Sequence, residues 1–112
     1  MIESTVISFL NPYVPTYAEM PEAPPADGLF CIVEKTGGGR PTPGIREATL
    51  AVQCYAPTLV GAAALCENVV NWMDGLTELG SVARCSLNSS YNRTDDRKKQ
   101  YRYQAVFAVT YY

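Results

Sequence analysis

Alternating apolar and polar positions are clearest in the segment 47–56. One face of that segment carries only apolar residues, namely Ala48, Leu50, Val52, Cys54 and Ala56. Successive side chains of a β-strand point to opposite faces, so this period of two predicts a strand with one buried face. The preceding segment Leu29–Thr36 is apolar on both faces, which is typical of a strand covered on both sides. We expect the two segments to form an antiparallel hairpin.

The residues between these strands, Thr36–Ile45, read TGGGRPTPGI. Three consecutive glycines and two prolines disfavour regular structure and are typical of turns. We therefore predict a long, mobile connection at the tip of the first hairpin.

Helical spacing of apolar residues occurs twice. The segment Leu59–Asp74 repeats them at steps of three and four, and Pro57 and Thr58 before it are typical of a helix start. A second side carries apolar residues seven positions apart, at Leu65, Trp72 and Leu79. That helix is therefore expected to be covered on two sides, once by its own sheet. The segment Ile2–Leu10 predicts a shorter first helix, which ends before Pro12.

A second hairpin is predicted at the C-terminal end. The segment Val82–Asn92 alternates, and its inner face is expected to hold Ala83, Cys85, Leu87 and Tyr91. The charged residues NRTDDRKK, Asn92–Lys99, are expected to form the tip. The return strand Gln100–Tyr112 sets apolar and aromatic residues inward, at Tyr101, Tyr103, Ala105, Phe107, Val109 and Tyr111.

The predicted order of elements is α-β-β-β-α-β-β, where the first strand is an edge strand or extended arm within Val14–Met20. The proline-rich residues Pro21–Gly28 form a linker inside the domain. Strands that pair mainly with sequence neighbours predict an α+β fold, with a mainly antiparallel sheet of four to five strands and two helices on one face. The length of 112 residues fits a single domain, residues 1–112, that needs no disulfide or metal to fold.

Composition disfavours most enzymes. The chain contains no histidine, the side chain most often used for acid–base catalysis and metal binding near neutral pH. A cysteine nucleophile would therefore lack a histidine base, and Ser89 and Ser90 have no evident activator. Neither catalysis nor a cofactor is expected. The formal net charge of −2 and pI near 5.0 also disfavour a dedicated nucleic-acid binder.

The four cysteines, Cys31, Cys54, Cys66 and Cys85, include no CxxC pair. We interpret them as buried thiols in a reducing compartment. The segment Met1–Leu10 lacks the basic residues of a signal peptide, and no apolar stretch approaches the roughly 20 residues of a membrane span. The cytoplasm is the expected location, with no membrane partner.

Loop motifs carry little specific chemistry. The run Gly37–Gly39 is followed by a strand, whereas a phosphate-binding loop continues with Lys and Ser or Thr into a helix. The run Arg97–Lys99 is offset by Asp95 and Asp96, and these two acids make a poor metal site without a third ligand. Outward-facing Arg102 and Tyr112 are residue types that interfaces favour.

Four segments together resemble a family of phage proteins. They are the turn EKTGGG, the strand REATLAVQCYAP directly before the Ala-rich helix TLVGAAALCENVVNWM, and the closing strand YRYQAVFAVTYY with its Arg102-Tyr103-Gln104 entry. They are similar to the tail terminator, or tail completion, proteins of long-tailed bacteriophages and prophages, over nearly all 112 residues.

The resemblance implies a structural virion protein. It implies a homo-oligomeric ring, commonly a hexamer, that caps the tail tube and joins it to a head completion or connector protein, while DNA passes through without specific binding. It implies no catalysis, cofactor or metal. We expect contacts with neighbours at the two hairpin tips, through Gly37, Gly38, Gly39, Arg40, Arg93, Asp95, Asp96, Arg97, Lys98, Lys99 and Arg102.

Two other functions stay open. A head closure or minor capsid connector would fit the same phage context. A small monomeric nucleic-acid-binding module belongs to another class, and it would need aromatic residues on an exposed sheet face beside a basic rim. The predicted registers place the aromatic residues mainly inward, which disfavours that function.

Overall fold

The computed structural model describes residues 1–98 and 100–112. It contains helices α1 (Ile2–Leu10) and α2 (Leu59–Met73), with a short 3₁₀ turn at Leu76–Glu78. Its strands are β1 (Thr16–Tyr17), β2 (Phe30–Thr42), β3 (Ile45–Tyr55), β4 (Val82–Asn92) and β5 (Arg102–Tyr111).

The strands form one sheet in the order β1-β2-β3-β5-β4. The pairs β2–β3, β3–β5 and β4–β5 are antiparallel, whereas the two-residue edge strand β1 runs parallel to β2. The fold is therefore α+β, with the predicted order of elements and a sheet that is antiparallel except at one edge.

Both helices lie on one face of the sheet. Their inner residues and those of the three central strands form one hydrophobic core, which includes Val6, Leu10, Leu50, Val69 and Phe107. We call this side of the sheet the helix face and the other side the open face. A side chain that lies opposite a core residue in the strand register therefore also points to the helix face.

Helix α2 begins where its sequence predicts. The Thr58 hydroxyl accepts a hydrogen bond from the Gly61 amide at 3.0 Å, which satisfies one of the amides left unpaired in the first turn. The residues predicted to form a second side of α2 pack against the same hydrophobic core as its inner side. Leu65 is buried in the core, and Trp72 stacks on Tyr13 with ring centroids 4.8 Å apart.

The predicted mobile connection over Thr36–Ile45 is wrong. Strand β2 continues to Thr42, and all three residues of Gly37–Gly39 pair with β3. Glycine weakens a strand but does not forbid one, and the partner strand supplies the hydrogen bonds. The turn is confined to Pro43 and Gly44, where Gly44 takes φ +83°, a conformation that glycine adopts without strain.

The predicted inner face of Val82–Asn92 is partly wrong. Cys85 and Leu87 lie opposite Val109 and Phe107 on the helix face, as expected. The register then shifts between Leu87 and Ser89, and this bulge moves Tyr91 to the open face. Another shift between Val82 and Arg84 leaves Ala83 without a paired position, so the strict alternation fails twice.

Candidate assembly surfaces

The two hairpins project from opposite ends of an elongated molecule. The β2–β3 tip (residues 37–46) lies at the end where Arg46 pairs with Tyr111. The β4–β5 tip (residues 93–101) lies at the other end, where Tyr55 pairs with Arg102. The extents of the molecule are 44 × 24 × 24 Å. The predicted site residues therefore form two separate surfaces.

The β2–β3 tip is β-strand except at its two-residue turn, and it carries two arginines and no acidic residue. Gly37, Gly38 and Gly39 pair with β3. Because glycine has no side chain, they offer a neighbour only their backbone groups. Arg40 and Arg46 are exposed and border a shallow depression of about 350 Å³, together with Lys35, Glu47 and Tyr111. This end of the molecule can receive an acidic or hydrogen-bonding partner.

The β4–β5 tip is shaped by its own polar side chains. The Asp95 carboxylate accepts hydrogen bonds from the amides of Arg97 at 3.0 Å and Lys98 at 3.4 Å. Asp95 also pairs with Gln100 through the backbone. Asp95 therefore holds the turn, whereas Asp96, Arg97 and Lys98 are exposed. Lys99 lies outside the described residues.

Arg102 is bound within its own chain. Its Nε donates to the carbonyl oxygen of Arg93 at 2.8 Å, and its Nη1 donates to Gln53 Oε1 at 3.0 Å and to the Tyr55 hydroxyl at 2.8 Å. Its guanidinium carbon also lies 5.7 Å from the centroid of the Tyr55 ring. The side chain ties the start of the β4–β5 tip to β3, and Arg93 beside it remains exposed.

The open face carries an aromatic cluster, whereas the sequence analysis placed the aromatic residues mainly inward. Phe30 stacks on Tyr55 with ring centroids 4.6 Å apart, and Tyr17 meets Phe30 edge-on at 6.1 Å. Phe30 and Tyr55 are only 5% and 4% exposed, so they cannot stack on a nucleobase without rearrangement. The outward positions of Phe30 and Tyr55 were readable from the strand alternation, but their mutual burial depends on the parallel edge strand β1.

The cysteines are free thiols, of which Cys31, Cys54 and Cys66 are buried and Cys85 is half-buried. Contacts with the thiols of Cys31 and Cys66, together with burial, raise the pKa of Cys54 well above its ordinary value. Burial, and then the nearby Asp74 carboxylate, raise the pKa of Cys85 to about 11. A thiol with a raised pKa stays protonated near neutral pH and is a poor nucleophile.

A groove that sequence reasoning missed lies between helix α2 and the edge strand β4. It has a volume of about 740 Å³, and its lining includes Val60, Ala64, Glu67, Val70, Leu87 and Tyr103. Val60 is 80% exposed and Leu87 is 44% exposed, although both are apolar. Val60 lies outside the repeat of apolar residues at steps of three and four in its helix, so its exposure could be predicted from the sequence. That β4 is an edge strand follows only from the strand order.

Within residues 1–98 and 100–112, no cluster of three or more cysteine or carboxylate side chains is placed to hold a metal ion. In the same residues, no helix is both long and apolar enough to cross a membrane. No protein-family model matches the sequence, and no curated protein matches it.

Proposed function

We propose that this protein is a structural assembly protein of a long-tailed phage or prophage, which forms a ring that caps the tail tube and joins the tail to the head. The observation that carries the proposal is the position of the two hairpin tips. They extend one sheet at both ends, so a single subunit can contact different neighbours at its two ends. The sequence resemblance given above supplies the biological context.

The dimensions of the subunit are suitable for a ring around DNA. Six touching subunits, each as wide as the 24 Å short axis, enclose a hole of about the same width. That width is close to the diameter of a DNA duplex. The long axis of 44 Å would then lie along the ring axis, with one hairpin tip toward the tail tube and the other toward the head.

The charge of the chain is compatible with DNA transit. A strongly basic channel holds DNA by releasing condensed counterions, which would oppose sliding. The formal net charge of −2 provides no such excess of positive charge. We therefore assign the exposed arginines at the tips to protein contacts rather than to DNA binding.

The proposed function is tested by removing the gene from the phage or prophage that encodes it. If the protein is a tail terminator, its loss should give tails of abnormal length that do not join heads. The wild-type gene should restore normal tails and joined particles. Tails of normal length that fail to join heads would instead favour the head closure connector. Infectious particles produced in normal numbers without the gene would refute both roles.

The surface assignment has its own test. Arg40→Glu and Arg97→Glu reverse one exposed charge at each tip. Glu3→Lys reverses a charge on helix α1, which is part of neither tip, and serves as the control. Each tip variant should fold normally but reduce the yield of joined particles, whereas the control should not. Normal particle yield from both tip variants would remove the tips from the assembly mechanism.

A further inference from the structure

Within residues 1–98 and 100–112, two edges of the sheet have no partner strand in the subunit. Strand β4 is an edge along its whole length, since β5 is its one partner among the described strands. Strand β2 is also an edge beyond Ile32, because β1 pairs only with Cys31 and Ile32. Unpaired amides and carbonyls along a strand favour the addition of another strand.

We infer that the β4 edge of one subunit pairs antiparallel with the free β2 edge of a second copy, residues 33–39, and that the groove between α2 and β4 receives Lys35 of that copy. The inference rests on the proposed function only in taking the partner to be another copy of this chain. It identifies which surfaces would join neighbouring subunits in the ring.

The strand directions agree with this pairing. Each step across the sheet from β2 through β3 and β5 to β4 is antiparallel, so β4 runs opposite to β2. Rotation about an axis along the strands preserves strand direction. A rotated copy therefore presents its β2 antiparallel to β4, with its helices on the same side of the continued sheet. Because different surfaces meet, the contact can repeat around a closed ring.

The row of side chains across the sheet places complementary groups together. Lys35 lies opposite Leu50, which lies opposite Phe107, which in turn lies opposite Leu87. Lys35 and Leu87 are therefore level with each other at the two outer edges, and both point to the helix face. Leu87 lines the groove, and the charged residue among the described residues of its lining is the exposed Glu67.

This arrangement would bring the Lys35 ammonium beside the Glu67 carboxylate. The stem of the lysine would lie over the exposed apolar side chains of Val60 and Leu87, which lack cover in the single subunit. Pro41 has no amide to donate, so strand addition stops before it and the pairing is confined to residues 33–39.

Disulfide trapping tests the pairing directly. Lys35→Cys is combined with Leu87→Cys, and separately with Ser90→Cys, which lies on the same face of β4 and allows for a stagger of the strands. The native Cys85, on the same face, can form the link if the two strands are shifted in the opposite direction. Mild oxidation should give a ladder of covalent oligomers that ends at the closed ring. Mass spectrometry should identify links between position 35 and β4.

Charge reversal gives an independent measurement. Lys35→Glu and Glu67→Lys should each raise the midpoint concentration for assembly by about tenfold or more, the order expected for one close interfacial charge pair. The double variant should recover most of that loss. Glu3→Lys is the control, because Glu3 lies on helix α1 and on neither edge strand, and this variant should assemble like the wild type.

Three results would overturn the inference. These are a protein that stays monomeric at every concentration, oligomers without any link from position 35 to β4, and dimers of Leu87→Cys alone, which would indicate β4 pairing with itself. Links that form in a protein that does not cap tail tubes would leave the pairing in place and refute the proposed function. Capped tubes without these links would refute the pairing and leave the proposed function in place.

Discussion

Gly38 lies opposite Ala48 in the β2–β3 ladder, at a point where the two strands leave no room for a side chain. A Cβ built on Gly38 would lie 2.8 Å from the carbonyl oxygen of Glu47, which is a backbone atom that cannot move without disturbing the strand. The neighbouring Gly39 differs, since nothing lies within 4 Å of its Cβ position.

Gly38→Ala should therefore destabilise the protein by about 1–3 kcal/mol, the usual cost of inserting atoms into a packed site. Gly39→Ala is the matched control. It should be neutral or stabilising by up to about 1 kcal/mol, because alanine restricts the unfolded chain more than glycine does. Urea unfolding of both variants measures the difference. Equal stability of the two would mean that the glycine run is not held in the strand as described.

Arg102 should matter for stability more than any exposed arginine of the β4–β5 tip. Arg102→Ala removes three hydrogen bonds and leaves the Tyr55 hydroxyl with fewer partners, for a cost of about 1–3 kcal/mol. Arg97→Ala, at an exposed position on the same tip, should change the free energy of unfolding by less than about 0.5 kcal/mol.

Urea unfolding of these variants measures the changes, and it can also isolate the hydrogen bond between Arg102 and Tyr55. A double-mutant cycle with Tyr55→Phe should show coupling between the two side chains, since their bond is 2.8 Å long. Additive effects of the two substitutions would show that the hydrogen bond contributes nothing to stability.

The Thr58 cap should stabilise helix α2. Thr58→Ala removes the acceptor for the Gly61 amide and should cost about 1 kcal/mol, whereas Thr58→Ser keeps the hydroxyl and should cost much less. Thermal unfolding followed by circular dichroism compares the three proteins. A loss in the serine variant as large as that in the alanine variant would contradict the assigned role of the hydroxyl.

Stability should fall in the alkaline range partly because of Cys85. Its pKa is raised from about 9 to about 11 in the folded protein, so the folded state keeps the proton more tightly than the unfolded chain. The resulting stabilisation is present below pH 9 and is lost as pH rises toward 11. Serine does not titrate in this range, so the stability difference between wild type and Cys85→Ser should shrink from pH 8 to pH 11. A difference that stays constant over this range would contradict the shift.

Periodicity predicted the elements well because most of them bury one continuous face. The bounds of the first helix, Ile2–Leu10, and of the strand Val82–Asn92 match the structure, as does the start of the second helix after Thr58. In each case a local signal, whether a spacing of apolar residues or a capping residue, agrees with the tertiary packing.

The errors arose where the partner strand decides the structure. Residues Gly37–Gly39 have little strand preference of their own and pair because β3 lies beside them. Tyr91 changed faces because a bulge interrupts the period of two, and no composition signal marks that bulge. The groove beside β4 depends on strand order, which alternation along one strand does not encode.

We propose that the protein acts by self-assembly into a ring at the end of a tail tube. Electron microscopy of the purified protein mixed with purified tail tubes of the same phage tests it most directly. We expect closed rings with a central hole on one end of each tube, and tube ends without rings when the protein is omitted. Tubes that remain uncapped at saturating protein, with the protein monomeric in solution, would contradict it.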